Sequence, residues 1–237
     1  MLLRAIQSGN LMEMLPYILV SLPCVLIAST IHELSHAYVA YKLGDPTARN
    51  LGRLTLNPAK HIDPIGLALL IFVGFGWAKP VPIITRNFKK PRRDISLVSI
   101  AGPLSNFLMA FIIMLILYIL GIFHINMFVL SEYGITGSFT DKLLYLFSYM
   151  FIYLIKINIV LGVFNLFPIP PLDGSKLLIS ALPQKAAYYV VRYERYIQIG
   201  FYILLFMGGF SGIIWFFGDA VLSAYISFFN LIFSPFM

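Results

Sequence analysis

The chain of 237 residues holds one cysteine, Cys24, so neither a disulfide framework nor a cysteine-ligated zinc site can be built from it. The lone thiol sits within an apolar stretch and reads as a small buried hydrophobe. Charge is also scarce. Only 11% of residues are Asp, Glu, Lys or Arg against 59% hydrophobic, which excludes an ordinary soluble domain. A mean hydropathy of +0.86 and several apolar runs long enough to cross a bilayer point to an all-α polytopic membrane protein. About four to five transmembrane helices are expected. Internal repeats, low-complexity tracts and a soluble domain are missing too, so 1–237 is read as one membrane-embedded domain. The first apolar run lacks the flanks and cleavage site of a signal peptide and is expected to be retained.

Residues 17–43, 98–123 and 143–167 are runs of spanning length, and a fourth apolar region covers 196–233. That last region reads as one span plus an interfacial helix, or as a tight pair. The run IGLALLIFVGFGW, 65–77, is too short for the ~20 residues a spanning helix needs, and is expected to dip in and return. The flanking charges agree with this. Lys42, Arg49, Arg53 and Lys60 precede the short run, and Lys79, Arg86, Lys89, Lys90, Arg92 and Arg93 follow it. The positive-inside rule places both groups in the cytoplasm, which a re-entrant segment satisfies. The weakly charged stretch from His124 to Asp141 is then external, and the segment with Lys176, Lys185, Arg192 and Arg195 cytoplasmic. The net charge of +7 is therefore mostly topology. Nucleic acid is excluded as a partner, because these cations lie in loops beside spans with no domain to hold a duplex.

Within the first span stands HELSH, residues 32–36. Positions i and i+4 share a helix face, so His32 and His36 can converge on one metal ion, while Glu33 can reach a water bound beside it. Neutral imidazoles suit zinc, and an anionic carboxylate can take a proton from water and pass it to a leaving amine. Three ionisable groups in five residues of a span each cost a few kcal/mol or more unless paired, hydrated or metal-bound, so chance retention is a poor explanation. With Gly44 as the cytoplasmic helix end, His36 lies ~12 Å and His32 ~18 Å inward.

A hydrolytic zinc site needs a third protein ligand and an open fourth position. Asp173 is the candidate that stands out. It lies in NLFPIPPLDGSK, 165–176, where Pro168, Pro170 and Pro171 break the helix and Gly174 permits an unusual turn. Unwound backbone at membrane depth is tolerated only when protein or a water-filled cavity surrounds it, so the break can bring Asp173 toward the histidine pair.

HELSH in a first span, AGPLSN near the start of a second and NLFPIPPLDG closing a third resemble the site-2 protease family of intramembrane zinc metalloproteases. The likeness covers roughly residues 17–180. It implies one Zn2+ held by His32, His36 and Asp173, with Glu33 as the catalytic base. It further implies that Asn165, and similarly Asn106, contact the substrate backbone or the developing oxyanion, with an interhelical hydrogen bond as the other role open to each. FGWAKPVPI, 75–83, looks like the membrane-associated hairpin of compact family members. No PDZ-like or cystathionine-synthase-like domain fits the remaining length, so the chain resembles the minimal form. A multi-pass protein of a prokaryotic plasma membrane is expected, with its active site toward the cytoplasm.

The function expected is zinc-dependent cleavage of a single-span membrane protein within the bilayer. A non-proteolytic metal-binding membrane scaffold is the rival, and Glu33 speaks against it because a structural zinc needs no base. A metal transporter fits less well, since its ionisable residues would line a path and here they cluster at one depth. In WAKPVPIITRN, Pro80 and Pro82 alternate with Val81 and Ile83, which suits an edge strand. Val81 and Ile83 are accordingly expected to offer backbone hydrogen bonds to an extended substrate, with an ordinary loop as the alternative. His61 and Asp63 in KHIDP read as surface or capping residues rather than ligands. His124 falls in the expected external loop and is not read as a ligand. Ala101 and Gly102 suit close helix approach. Lys156 and Asp219 receive no assignment.

Overall fold

The computed structural model describes residues 11–122 and 139–234. Among them the fold is all-helical: α1 (Leu11–Lys42), α2 (Thr47–Asn50), α3 (Pro64–Phe72), α4 (Pro91–Ile122), α5 (Phe139–Asn165), α6 (Asp173–Ala181), α7 (Gln184–Phe206) and α8 (Ser211–Phe233). Four segments are long and apolar enough to cross a bilayer: Leu15–Lys42, Pro91–Gly121, Tyr145–Asn165 and Ser211–Phe233. They coincide with the expected spans. The 196–233 region resolves into the apolar end of α7, a turn in which Gly208 takes a φ of 77°, and one span-length helix. Most of the stretch read as external, 124–141, lies outside the described residues.

α1, α4 and α5 pack on one another at the centre of the bundle. Their facing side chains make its core: Cys24 from α1, Ala110, Met114 and Leu117 from α4, and Leu154, Ile155 and Ile159 from α5, joined by Phe229 of α8. The opposite faces stay apolar and exposed, as at Leu104, Leu108 and Ile112 of α4, which suits a lipid surround. Small residues let the backbones approach, because lipid gives no hydrophobic drive between helices. α8 touches the bundle along one edge, burying Gly218 and Phe229. Lys156 and Asp219 are both exposed.

The short run forms the nine-residue α3, after which the chain turns back on itself. Ile62 bridges Ala78, and the Lys79 N–H donates to the His61 carbonyl at 2.8 Å. The expected hairpin is reduced to this single bridge, and no strand forms among the described residues. The cause lies in the donors. Pro80 and Pro82 have no N–H, while the N–H groups of Val81 and Ile84 donate to the carboxylates of Glu33 and Asp45, at 2.8 and 2.7 Å. Residues 78–84 thus form a strap held by side chains of α1 and its following turn. Asp45 is fully buried and also accepts from the Thr47 N–H and hydroxyl and from Asn87 Nδ2.

Candidate metal centre

The helical spacing of α1 puts His32 and His36 on one face, each under 8% exposed. Their Nε2 atoms lie 3.0 Å apart, and each lies 3.0 Å from Asp173 Oδ2. Asp173, 5% exposed, opens α6 just after the proline-broken segment. That segment folds back tightly. A Cβ on Gly174 would come within 2.2 Å of the Leu166 carbonyl oxygen, so glycine serves close approach here rather than a left-handed turn.

The outer nitrogens of both rings are assigned by their partners. His36 Nδ1 lies 2.7 Å from the Val98 carbonyl, which can only accept, so Nδ1 carries the proton. His32 Nδ1 lies 2.6 Å from Asn106 Oδ1, and the Asn106 Nδ2 is engaged with the Ala28 carbonyl and Asn158 Oδ1. With both rings neutral, each Nε2 then carries the lone pair. Together with a carboxylate oxygen, they form a triangle of acceptors with no donor between them. Such a triangle is repulsive until a cation fills it. Tetrahedral zinc, with nitrogen and oxygen ligands at about 2.0–2.1 Å, sets neighbouring donors about 3.3 Å apart, close to the spacing found. His32, His36 and Asp173 therefore fit a zinc ion. The backbone of α4 makes room for it. A Cβ on Gly102 would stand 2.5 Å from His36 Nε2 and 2.6 Å from His32 Nε2.

Glu33 points elsewhere. It is half-buried, accepts the Val81 N–H, and shares with His32 the wall of a cavity of about 330 Å3. Thr30, His61, Trp77 and Asn165 line the same cavity, with Leu26, Leu67, Phe164 and Phe201 among its apolar lining. Asn165 Nδ2 donates to the Leu161 carbonyl at 3.0 Å. Asn106 is fully buried and stands behind His32, outside the cavity lining. Ile83 lies half-buried in the strap, and its N–H has no partner among the described residues. His61 is no member of the triad: it is 2% exposed and its Nε2 donates to the Thr55 carbonyl. Asp63 caps α3, accepting from the N–H groups of Ile65 and Gly66. Sequence reading passed over Asn158, although an amide within an apolar span is itself a signal.

A buried pair of histidines on α1, a helix long and apolar enough to span, completed by the aspartate that opens α6, fits the class of membrane-integral zinc metalloproteases. The chain belongs to peptidase family M50, whose sequence profile matches residues 20–208. Relatives named "Putative zinc metalloprotease" include the following three. YwhC of Bacillus subtilis is 38% identical over 224 residues, covering 94% of this chain and 95% of its own. Rip2 of Mycolicibacterium smegmatis is 30% identical over 154 residues, covering 63% of this chain and 52% of its own. Rip2 of Mycobacterium tuberculosis (strain H37Rv) is 26% identical over 199 residues, covering 81% and 68%. No solved structure matches the chain.

Proposed function

We propose that the chain is an intramembrane endopeptidase that cleaves a transmembrane segment of a single-span protein, with one zinc ion held by His32, His36 and Asp173. The observation that carries this reading is that Glu33 and His32 open onto one cavity beside the donor triangle, inside the part of α1 that is long and apolar enough to span. Zinc, when bound, supplies a Lewis acid that polarises a peptide carbonyl and makes water more acidic.

The chain's own residues do the rest. Glu33 takes the proton from attacking water and returns it to the leaving amine. A helical amide is shielded by its own turn, so the substrate enters as extended chain. The strap receives it: Ile83 offers its free N–H, and Val81 its carbonyl, since the Val81 N–H is held by Glu33. Asn165 keeps a second amide N–H beyond the one given to Leu161, which can serve a developing oxyanion. α3 and the strap form a re-entrant unit with both ends in the cytoplasm of a prokaryotic cell, and the active site lies toward that side.

Purified variants reconstituted with a single-span substrate test the reading against that of a metal-binding scaffold. Glu33→Gln keeps the size but accepts no proton, so it should retain about one zinc and lose proteolysis. His36→Ala and Asp173→Ala should lose both. Cleavage by Glu33→Gln at the parental rate would remove Glu33 as the base, and undiminished zinc binding by Asp173→Ala would remove the third ligand.

A further inference from the structure

Asn158 lies fully buried in α5, and nothing in the proposed chemistry uses it. An amide buried in a membrane bundle is costly unless both of its halves are paired. Its pairing here runs in one direction. Asn158 Nδ2 donates to the Leu154 carbonyl at 2.8 Å, an oxygen that can only accept. Oδ1 is therefore the end that accepts from Asn106 Nδ2, at 2.8 Å. Asn106 Oδ1 in turn accepts the N–H of His32 Nδ1 at 2.6 Å. Each link fixes the polarity of the next, from a backbone carbonyl of α5 through α4 to α1. An inverted Asn106 would turn its NH2 toward His32 Nδ1, move the ring proton to Nε2, and close that nitrogen to a cation.

We infer that Asn158 is a positioning residue for the metal centre: through Asn106 it fixes the His32 proton on Nδ1 and keeps Nε2 available as a ligand. The inference rests on the reading of His32 as a ligand. His36 needs no such device, because its Nδ1 meets the backbone carbonyl of Val98, which cannot invert. His32 depends instead on a side-chain amide whose oxygen and nitrogen have nearly the same shape. The Ala28 carbonyl also holds Asn106 Nδ2, but at 3.1 Å, leaving Asn158 the closer of the two anchors.

The test compares the parent with Asn158→Leu and Asn158→Asp. Zinc affinity is read by chelator competition, and the His32 tautomer by nitrogen NMR of selectively labelled, zinc-free protein. Asn158→Leu keeps the volume and removes the acceptor, so zinc should bind roughly 10-fold more weakly or worse, and His32 should show protonated Nε2. A buried aspartic acid is neutral, so Asn158→Asp can donate its hydroxyl to Leu154 and accept from Asn106, restoring the parental tautomer and affinity. Parental zinc affinity and tautomer in Asn158→Leu would overturn the inference. So would Asn158→Asp behaving like Asn158→Leu, since that outcome marks a packing role; if Asn158→Leu does not fold, a tautomer change in Asn158→Asp decides in the same way. The tautomer is read without zinc, so failure of the parent to bind zinc counts against the metal reading alone and leaves this signal to judge the relay.

Discussion

The Glu33 carboxylate accepts the N–H of Val81 at 2.8 Å, which ties the proposed base to the strap by one hydrogen bond. Three residues later, near the strap's other end, the Ile84 N–H is fixed on Asp45. Between these two anchors the length of chain is set. One residue inserted after Val81 leaves the Glu33 contact or the Asp45 contact unmade, but not both satisfied. Losing a hydrogen bond to a charged acceptor costs about 1.5–3 kcal/mol, so cleavage should fall at least about ten-fold while zinc content holds. Unchanged cleavage of a reconstituted substrate would show that strap register does not matter.

Gly102 offers a sharper test of the centre itself. With a Cβ there 2.5 Å from His36 Nε2 and 2.6 Å from His32 Nε2, Gly102→Ala should abolish high-affinity zinc binding. Alanine is the better helix former by about 1 kcal/mol, which offsets part of the cost of displacing the two buried imidazoles, so the zinc-free protein should still fold. Metal analysis beside a thermal melt separates the two effects; full zinc occupancy in this variant would mean that α4 yields.

Asp45 gives the strap a pH dependence. Burial by itself would raise its carboxyl, but the donors on Thr47, Ile84 and Asn87 outweigh burial and hold it below the ordinary carboxylate value. A group whose folded value is depressed stabilises fully above its unfolded value near 3.8 and loses that contribution as pH falls through the folded value. Protease nicking of the strap should therefore stay constant from neutral pH down to about 4 and rise only in stronger acid. Asp45→Asn should show raised nicking already at neutral pH, and no difference from the parent there would refute the anchoring role.

For topology, Lys60 and Lys89 are exposed on either side of α3 and the strap, and the one native thiol, Cys24, is buried. Lys60→Cys, Lys89→Cys and Lys185→Cys should all react with an impermeant thiol reagent from the cytoplasmic face of oriented vesicles. Labelling of Lys60→Cys and Lys89→Cys from opposite faces would rule out a re-entrant unit.

The parts of this molecule that were legible in its sequence are those with a local cause. Run length marks a span whatever surrounds it, and the i, i+4 spacing of His32 and His36 fixes a shared face without help from any other helix. The convergence of Asp173 could be anticipated because three prolines keep α5 from continuing to it and leave the chain free to fold back. α4 begins at Pro91, earlier than the apolar run, because Arg92, Arg93 and Asp94 end the apolar pattern but not the helix. What stayed hidden depends on partners distant in sequence. The value of Gly102 lies in imidazoles about seventy residues earlier, and Asn158 matters through an amide on another helix. The hairpin was over-read for a related reason: apolar and proline residues alternate as in an edge strand, but the N–H groups left over bind carboxylates that periodicity cannot place.

The bare backbone at Gly102 has one more consequence. Because α4 lies directly against the imidazole nitrogens, the donor triangle is walled on that flank, and the cavity that Glu33 and His32 share opens on another. A planar peptide group arriving from a single side, alongside a strap of fixed direction, presents the same one of its two faces each time. Reversing a segment's course from N- to C-terminus would present the opposite face. If the proposed function holds, selection in such a site would begin with handedness, and a candidate segment would be sorted by the direction in which it runs through the bilayer before its side chains are compared.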